Sequence, residues 1–276
     1  MYRIIIDSCG EFTKEMEENP VFCHAPLSLQ VGDWHQVDDE TFDQKEFLKR
    51  VAECPSCPKS ACPSPEEYIK LFDGYDEVYI VTLSGNLSGS YNSARTAVNM
   101  YYETNDTAKI HIFDSCSASI GETLVGLKIH ELAEQGLGFE EIVVKTEEYK
   151  LSINTYFVLD NLETFRKNGR LTGVKAMMVS SLNIKPVMVG ARGSIEQRGQ
   201  AIGTNKALTK MADYLLSDVS NPQDRVLMIT HCNCPDRAKY MRELMVKRAS
   251  YKDIVVMDMA GVSTMYANDG GVIVTL

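Results

Sequence analysis

The amino-acid sequence predicts an α/β protein with a parallel sheet in its first half and a second α/β unit in its second half. In the first half, short apolar runs alternate with helical patterns, and each run ends in a polar or hydroxyl-rich turn. This alternation is typical of a parallel sheet covered by helices. In the second half a hairpin joins the strands and helices, and the change comes near residues 150–155. We therefore expect two domains, a Rossmann-like domain over 1–152 and an α/β domain over 153–276.

The elements of the first half follow from hydrophobic periodicity. Strands are predicted at 4–6, 25–29, 78–83 and 110–113, and helices at 11–18, 46–51, 64–71, 93–102, 120–135 and 139–150. Residues 32–44 are polar and acidic, which predicts a surface loop or an edge hairpin. Ser64, Pro65 and Glu67 form the pattern of a capped helix start. Because four prolines fall within residues 54–65, we expect a stiff loop without regular structure there.

The second half contains a similar number of elements. Strands are predicted at 155–159, 184–189, 194–197, 225–230, 254–258 and 271–275, and helices at 161–167, 174–182, 204–217 and 235–248. Residues 191–193 separate two of these strands and predict a hairpin turn.

Composition limits the classes of function. The 276 residues are 44% hydrophobic and 24% charged, as in an ordinary globular protein, and the formal net charge is −10. We expect no nucleic-acid partner, since no basic stripe or tail is present. We expect no membrane span, because no apolar run approaches the roughly 18 residues that one needs. Eight cysteines and a start that reads directly as a strand predict a cytoplasmic protein with reduced thiols.

The segment 84–90 is the strongest candidate for a ligand-binding loop. It lies between the predicted strand 78–83 and the predicted helix 93–102, where free backbone N–H groups and the positive end of the helix dipole favour an anion. Gly85 and Gly89 allow a ligand to approach the backbone, and Ser84, Ser88 and Ser90 supply hydroxyl donors. An ordinary helix-capping turn is the alternative for any single serine. The loop is neither a Walker loop nor a nucleophile elbow.

Several other candidate sites are weaker. A zinc site is disfavoured because its two cysteine clusters lie far apart in the sequence; they comprise Cys54, Cys57 and Cys62, and His231, Cys232 and Cys234. A Ser-His-Asp site is unsupported, since none of the histidines is placed by the sequence beside a serine; these are His24, His35, His111, His130 and His231. Asp7 and Asp114 follow strands and could act as acids, bases or metal ligands. We favour the commoner role, in which each accepts hydrogen bonds from N–H groups of its turn. No metal and no cofactor are expected.

Arg170 precedes the very apolar segment 174–179. An arginine at the entrance of such a surface would suit an amphipathic anion, whereas a surface ion pair is the alternative.

Motifs spread over the whole chain resemble those of the DegV family. They are Ile6-Asp7-Ser8, Pro63-Ser64-Pro65 after Ser60, the run from Leu83 to Ala94, Phe113-Asp114-Ser115 with Ala118-Ser119, Gly169-Arg170-Leu171-Thr172 and Ile184-Lys185-Pro186-Val187. The resemblance implies a two-domain α/β protein that encloses a long-chain fatty acid of roughly 14 to 18 carbons between its domains, each buried methylene contributing about 0.8 kcal/mol. It also implies a separate fatty acid kinase as a partner.

The resemblance implies which residues hold the ligand. Ser60, where the family usually has threonine, and Ser88 would bind the carboxylate, and the acyl tail would lie in apolar space between the domains. With the loop and entrance residues, the predicted fatty-acid contacts are Ser60, Ser84, Gly85, Ser88 and Arg170. The chain departs from the family at Tyr266, where many relatives have histidine, and at Gly203, where a basic residue is usual. These departures do not alter the hydroxyls of Ser60 and Ser88 that would bind the carboxylate. They would affect docking to a kinase.

The sequence thus predicts a non-enzymatic fatty-acid-binding protein. The alternative is an enzyme that acts on a small phosphorylated or carboxylated metabolite at the loop 84–90. An enzyme requires a titratable group within hydrogen-bond reach of the reacting atom. A carrier requires only hydroxyls at the head of the ligand and a long apolar space behind them.

Overall fold

A computed structural model describes residues 1–105, 107–171 and 183–276. The strands are β1 Tyr2–Asp7, β2 Phe22–Ala25, β3 Ser28–Val31, β4 Trp34–Val37, β5 Lys59–Ala61, β6 Glu77–Thr82, β7 Lys109–Asp114, β8 Thr155–Val158, β9 Ile184–Ala191, β10 Ser194–Ile202, β11 Val226–His231, β12 Asp253–Asp258 and β13 Val272–Thr275. The α-helices are α1 Lys14–Glu18, α2 Gln44–Glu53, α3 Pro65–Ile69, α4 Ser90–Thr104, α5 Ile120–Glu134, α6 Phe139–Lys150, α7 Glu163–Lys167, α8 Thr204–Asp218, α9 Pro235–Val246 and α10 Gly261–Ala267. The predicted helix over 174–182 lies outside the described residues.

The strands form three sheets, and the second is inserted in the chain between strands of the first. A parallel sheet has the strand order β2-β1-β6-β7, and an antiparallel sheet has the order β4-β3-β5. All later strands belong to one mixed sheet, β10-β9-β8-β13-β11-β12, in which β11 and β12 are parallel. The predicted α/β class and the parallel first sheet are therefore confirmed.

Helices cover both faces of the parallel sheet. On one face Ile4 and Ile6 pack with Val125 and Ile129 of α5. On the other face Ile5 and Ile80 pack with residues of α3 and α4, among them Tyr68, Ala94 and Ala97. Alternate residues of β1 thus enter opposite cores, as expected for a strand buried on both faces.

Local signals place several elements where the sequence predicts them. Ser64 and Glu67 form a capping box at the start of α3, with Pro65 in the first turn. The polar segment 32–44 contains the edge strand β4, which pairs with β3 as a hairpin.

Two predictions for strands and loops are wrong, and one helix is not predicted. The single strand expected over 25–29 is two strands of different sheets, β2 and β3, because Pro26 interrupts the run. The proline-rich segment 54–65 contains β5, because Lys59, Ser60 and Ala61 lie between prolines and pair with β3. The last helix, α10, was not predicted at all. Its first two N–H groups donate to the Asp38 carboxylate, at 2.8 Å from Gly261 and 2.9 Å from Val262. A distant residue therefore caps this helix.

Candidate functional site

A cavity of about 300 Å³ lies where the turns after β1, β6 and β7 face β8, α10 and the β9–β10 hairpin. The carboxyl ends of parallel strands meet at one edge of a sheet, and this edge is the usual ligand-binding edge in α/β proteins. The size is that of a small-molecule pocket.

One end of the cavity is polar. Ser60, Ser88, Arg170 and Tyr266 line it, and all four are half-buried. The Tyr266 hydroxyl lies within hydrogen-bond reach of Ser60 and close to the Arg170 guanidinium. Burial raises the pKa of Tyr266, while Arg170 and Ser60 lower it; the net direction is upward, so the phenol is neutral and can donate a hydrogen bond. We call these four residues the polar end.

Arg170 is held in place by main-chain oxygens. Its Nε donates to the Leu87 carbonyl at 3.1 Å, and a second nitrogen donates to the Asn168 carbonyl. Asn168 in turn donates to the Pro58 carbonyl at 3.0 Å, which ties this segment to β5 and Ser60. The guanidinium therefore faces the cavity in a fixed position, and its bonds to neutral carbonyls leave its charge available to an anion.

A second part of the lining is apolar. Phe157, Leu159 and Ile195 are buried, and Phe165 and Ile273 complete this wall. The aromatic rings form a continuous series, with centroids 4.7 Å apart between Tyr266 and Phe165 and 5.8 Å apart between Phe165 and Phe157. We call this group of residues the apolar end.

Ser84 and Gly85 do not line the cavity, although the sequence predicts that they contact the ligand. The Ser84 hydroxyl donates to the Gly193 carbonyl at 2.7 Å, and Gly193 has a φ of +81° in the β9–β10 turn. The Gly85 N–H donates to the Asp114 carboxylate at 3.3 Å. Both residues thus use their donors to fix neighbouring turns, whereas Ser88 and Gly89 reach the cavity.

The aspartates at the strand ends make the turn hydrogen bonds that we favoured. Asp7 accepts the N–H groups of Cys9 at 3.2 Å and Leu83 at 2.8 Å, and Asp114 accepts that of Cys116 at 2.9 Å. These bonds hold the turns that line the cavity.

Sequence reasoning missed several lining residues. The sequence marks Tyr266 only as a departure from a family pattern, and nothing in it points to the hydroxyls of Thr155 and Ser263. Ser117 and Ser119 lie in the turn after β7, at the edge of the sheet where the sequence predicts ligand binding. Only the missed helix α10 brings Ser263 and Tyr266 to the cavity. A periodic pattern over seven residues gives too weak a signal to predict such a helix.

Some site types find no support in the described ranges. Among residues 1–105, 107–171 and 183–276, no group of three or more His, Cys, Asp or Glu side chains could hold a metal ion. No helix in these ranges has the length and apolar character needed to cross a membrane.

Comparison with known proteins identifies the family. The family model described as "uncharacterised protein, DegV family" matches residues 1–275. The chain belongs to the DegV family. A DegV domain-containing protein of Streptococcus pneumoniae is 33% identical over 278 residues, which cover 99% of this chain and 97% of that protein.

Solved structures of DegV proteins have the same fold. A DegV family protein of Ruminococcus gnavus, described with vaccenic acid, is 47% identical with a TM-score of 0.97, covering 100% of this chain and 99% of that one. The Streptococcus pneumoniae Fatty Acid Kinase (Fak) B3 protein, described as loaded with linoleic acid, is 30% identical with a TM-score of 0.91, covering 100% of this chain and 98% of that one.

Proposed function

We propose that this DegV protein binds a long-chain fatty acid in the cavity, with the carboxylate at the polar end and the acyl tail at the apolar end. One observation carries the proposal: Ser60 and Ser88 share one cavity with Phe157, Leu159 and Ile195. The bound fatty acids of the Ruminococcus gnavus and Streptococcus pneumoniae relatives support it.

The polar end suits a carboxylate. Two serine hydroxyls, the neutral Tyr266 phenol and the Arg170 guanidinium can all donate hydrogen bonds. Hydrogen bonds to a charged group contribute about 1.5–3 kcal/mol each. The predicted contacts Ser60, Ser88 and Arg170 thus remain part of the proposed site, and Tyr266 joins them. Ser84 and Gly85 act through the turns that they hold.

The tail supplies most of the affinity. Burying a methylene contributes about 0.8 kcal/mol, so a long acyl chain gains on the order of 10 kcal/mol before the cost of ordering it. The four residues of the polar end are half-buried, whereas Phe157, Leu159 and Ile195 of the apolar end are buried, which supports a carboxylate that lies nearer the surface than the tail.

We infer that the protein is a carrier and not an enzyme. Among the described residues, the thiols that line the cavity are those of Cys9, Cys62 and Cys116, and burial raises the pKa of each. A thiol in this state is a poor nucleophile. This supports binding over the alternative, an enzyme acting on a small metabolite at the loop 84–90, as does the use of Ser84 and Gly85 within the protein.

Presentation of the carboxylate to a separate fatty acid kinase belongs to the same proposal. The likeness to the Fak B3 protein and the position of the polar end near the surface support it. We also propose a cytoplasmic location, which eight free cysteines favour.

Native mass spectrometry of the purified chain, followed by organic extraction, tests the proposal. We expect one fatty acid per chain. In Ser60→Ala and in Ser88→Ala we expect the affinity for added oleate to fall at least tenfold, because each variant loses a donor to the carboxylate. Ser217→Ala is the matched control, since Ser217 is exposed on α8 and bonds to the Tyr214 carbonyl. An empty protein that also takes up no oleate would refute the proposal.

A further inference from the structure

Two carboxyl groups lie buried behind Ser88, and no basic side chain of the described residues pairs with them. Asp7 at the end of β1 and Glu122 in the first turn of α5 are both 0% exposed. Each acts on the other at hydrogen-bond range. We call Asp7 and Glu122 the carboxyl pair.

The surroundings of the carboxyl pair are acidic or neutral. The ionisable groups that face it are Glu11 and Cys9 after β1, Asp38 after β4, Cys62 after β5 and Tyr68 on α3. None of these is a base. Two ionised carboxylates in such a place would repel each other with no compensating charge.

Hydrogen bonding separates the roles of the two carboxyls. Asp7 accepts the backbone N–H groups of Leu83 and Cys9, which favour its ionised form. Within the described part of the chain, both oxygens of Glu122 are buried and make no hydrogen bond of good geometry. A proton on Glu122, donated towards Asp7, supplies the missing bond. In agreement, burial and the charge of Asp7 raise the pKa of Glu122 well above its usual range.

A short chain of hydroxyls connects the carboxyl pair to the cavity. Ser90, also 0% exposed, lies at hydrogen-bond range of Asp7. The Oγ atoms of Ser90 and Ser88 are 3.1 Å apart, and the Ser90 N–H donates to the Ser88 Oγ at 3.2 Å. Ser88 at the cavity is therefore connected through Ser90 to the charge on Asp7.

We propose that Glu122 is a positioning residue for the polar end: it holds one proton between itself and Asp7, and loss of this proton weakens the binding of a carboxylate at Ser88. With the proton in place, the carboxyl pair carries a single negative charge, which lies on Asp7 and is stabilised by the backbone N–H groups that donate to it. Without it, a second charge faces the ligand's own carboxylate through a poorly screened interior, and the affinity falls on the order of tenfold. This inference rests on the proposed binding of fatty acids.

Infrared spectroscopy tests the proton directly. At about pH 8 the full chain should show the carbonyl band of a protonated carboxylic acid. Glu122→Gln should remove this band, since glutamine keeps a donor towards Asp7 but has no acid proton. Glu17→Gln is the control, because Glu17 is exposed on α1 and does not face the carboxyl pair. Absence of the band in the unmodified chain, or its persistence in Glu122→Gln, would overturn the proposal.

Oleate provides the test of coupling. Because linkage is reciprocal, bound oleate should raise the pH at which the band is lost by about one unit, the shift that corresponds to a tenfold change in affinity. Glu122→Gln should bind oleate as tightly as the unmodified chain at about pH 8; tenfold tighter binding would mean that Glu122 is ionised there. If the carbonyl band disappears at the same pH with and without oleate, the coupling is contradicted.

Two further outcomes keep the hypotheses apart. If the unmodified chain binds no oleate at all, the proposed function fails, while the infrared band still reports on the carboxyl pair. Should Glu122→Gln fail to fold, Asp7→Asn replaces it. Removing the neighbouring negative charge must then lower the pH at which the band is lost, and an unchanged pH rejects the proposal.

Discussion

Glu11 shows at the scale of one residue how the cavity wall affects stability. Its carboxylate is 3% exposed and accepts the Ser119 hydroxyl at 2.8 and 3.0 Å, directly behind the cavity lining. Burial raises its pKa to about 7, against the hydrogen bonds from Ser263 and Ser119 that lower it. In an unfolded chain the pKa of a glutamate is about 4.3.

The pH dependence of stability follows from this shift. Between about pH 4.3 and 7 the folded chain binds more protons at Glu11 than the unfolded chain, so the contribution of Glu11 is lost as the pH rises through this window. Glu11→Gln cannot ionise at this position. When the pH is raised from about 4.5 to 8, we expect the free energy of unfolding of this variant to increase by on the order of 3 kcal/mol relative to that of the unmodified chain. Urea unfolding at both pH values measures this difference. Glu17→Gln is the control, since Glu17 is exposed on α1; a similar gain there would contradict the assignment to Glu11.

Helix α10 illustrates the scale of the element. Its sequence contains glycine and β-branched residues, which are weak helix formers, and Ala260 at its N-cap offers no side-chain acceptor. The Asp38 carboxylate supplies the cap from the first half of the chain, and Gln44 of α2 donates to the Met259 carbonyl at 3.0 Å just before the helix. The helix that carries Ser263 and Tyr266 is therefore a product of tertiary contacts.

Gly261 is the residue that allows this close capping. A Cβ at this position would lie 2.4 Å from the Asp38 Oδ1 and 2.6 Å from a Leu29 methyl group. We expect Gly261→Ala to lower the free energy of unfolding by about 1–3 kcal/mol, the usual cost of overpacking, as measured by urea unfolding. In Gly138→Ala the new methyl group meets open space, so this control should lose less than about 1 kcal/mol. Equal losses in the two variants would show that packing against Asp38 is not the cause.

At the scale of the whole molecule, apolar clusters join the two halves of the chain. One contains Leu29 and Phe47 together with Val262 and Met265. Another joins Ile120 and Leu124 of α5 to Met228 of β11. The boundary between domains 1–152 and 153–276 remains a prediction, and these shared clusters indicate that the two domains are coupled in stability.

Urea unfolding with two probes checks this coupling. Trp34, the one tryptophan of the chain, packs against Phe47 in the first of these shared clusters and reports on its surroundings there, whereas far-ultraviolet circular dichroism reports on all helices and strands. We expect the two transitions to coincide, because separating the halves exposes both shared clusters. Coincidence should be lost in Met228→Ala, which weakens one of them. Two separate transitions in the unmodified chain would show that the domains unfold independently.

Much of this molecule can be predicted from its sequence. Hydrophobic periodicity predicts β1, β6 and β7 of the parallel sheet, and capping patterns such as Ser64 with Glu67 predict helix starts, because these signals act over a few neighbouring residues. The loop motif around Ser88 and the resemblance to the DegV family point to the ligand-binding edge of the sheet for the same local reason.

Only the tertiary structure decides which polar groups face the cavity. Ser84 and Ser88 belong to one serine-rich loop, yet Ser84 is buried with its hydroxyl on the Gly193 carbonyl, whereas Ser88 lines the cavity. Tyr266 reaches the polar end because Asp38, far away in the sequence, caps its helix. Each hydrogen-bonding group satisfies whichever partner the folded chain brings within about 3 Å, and those partners lie too far apart in the sequence for any local pattern to reveal them.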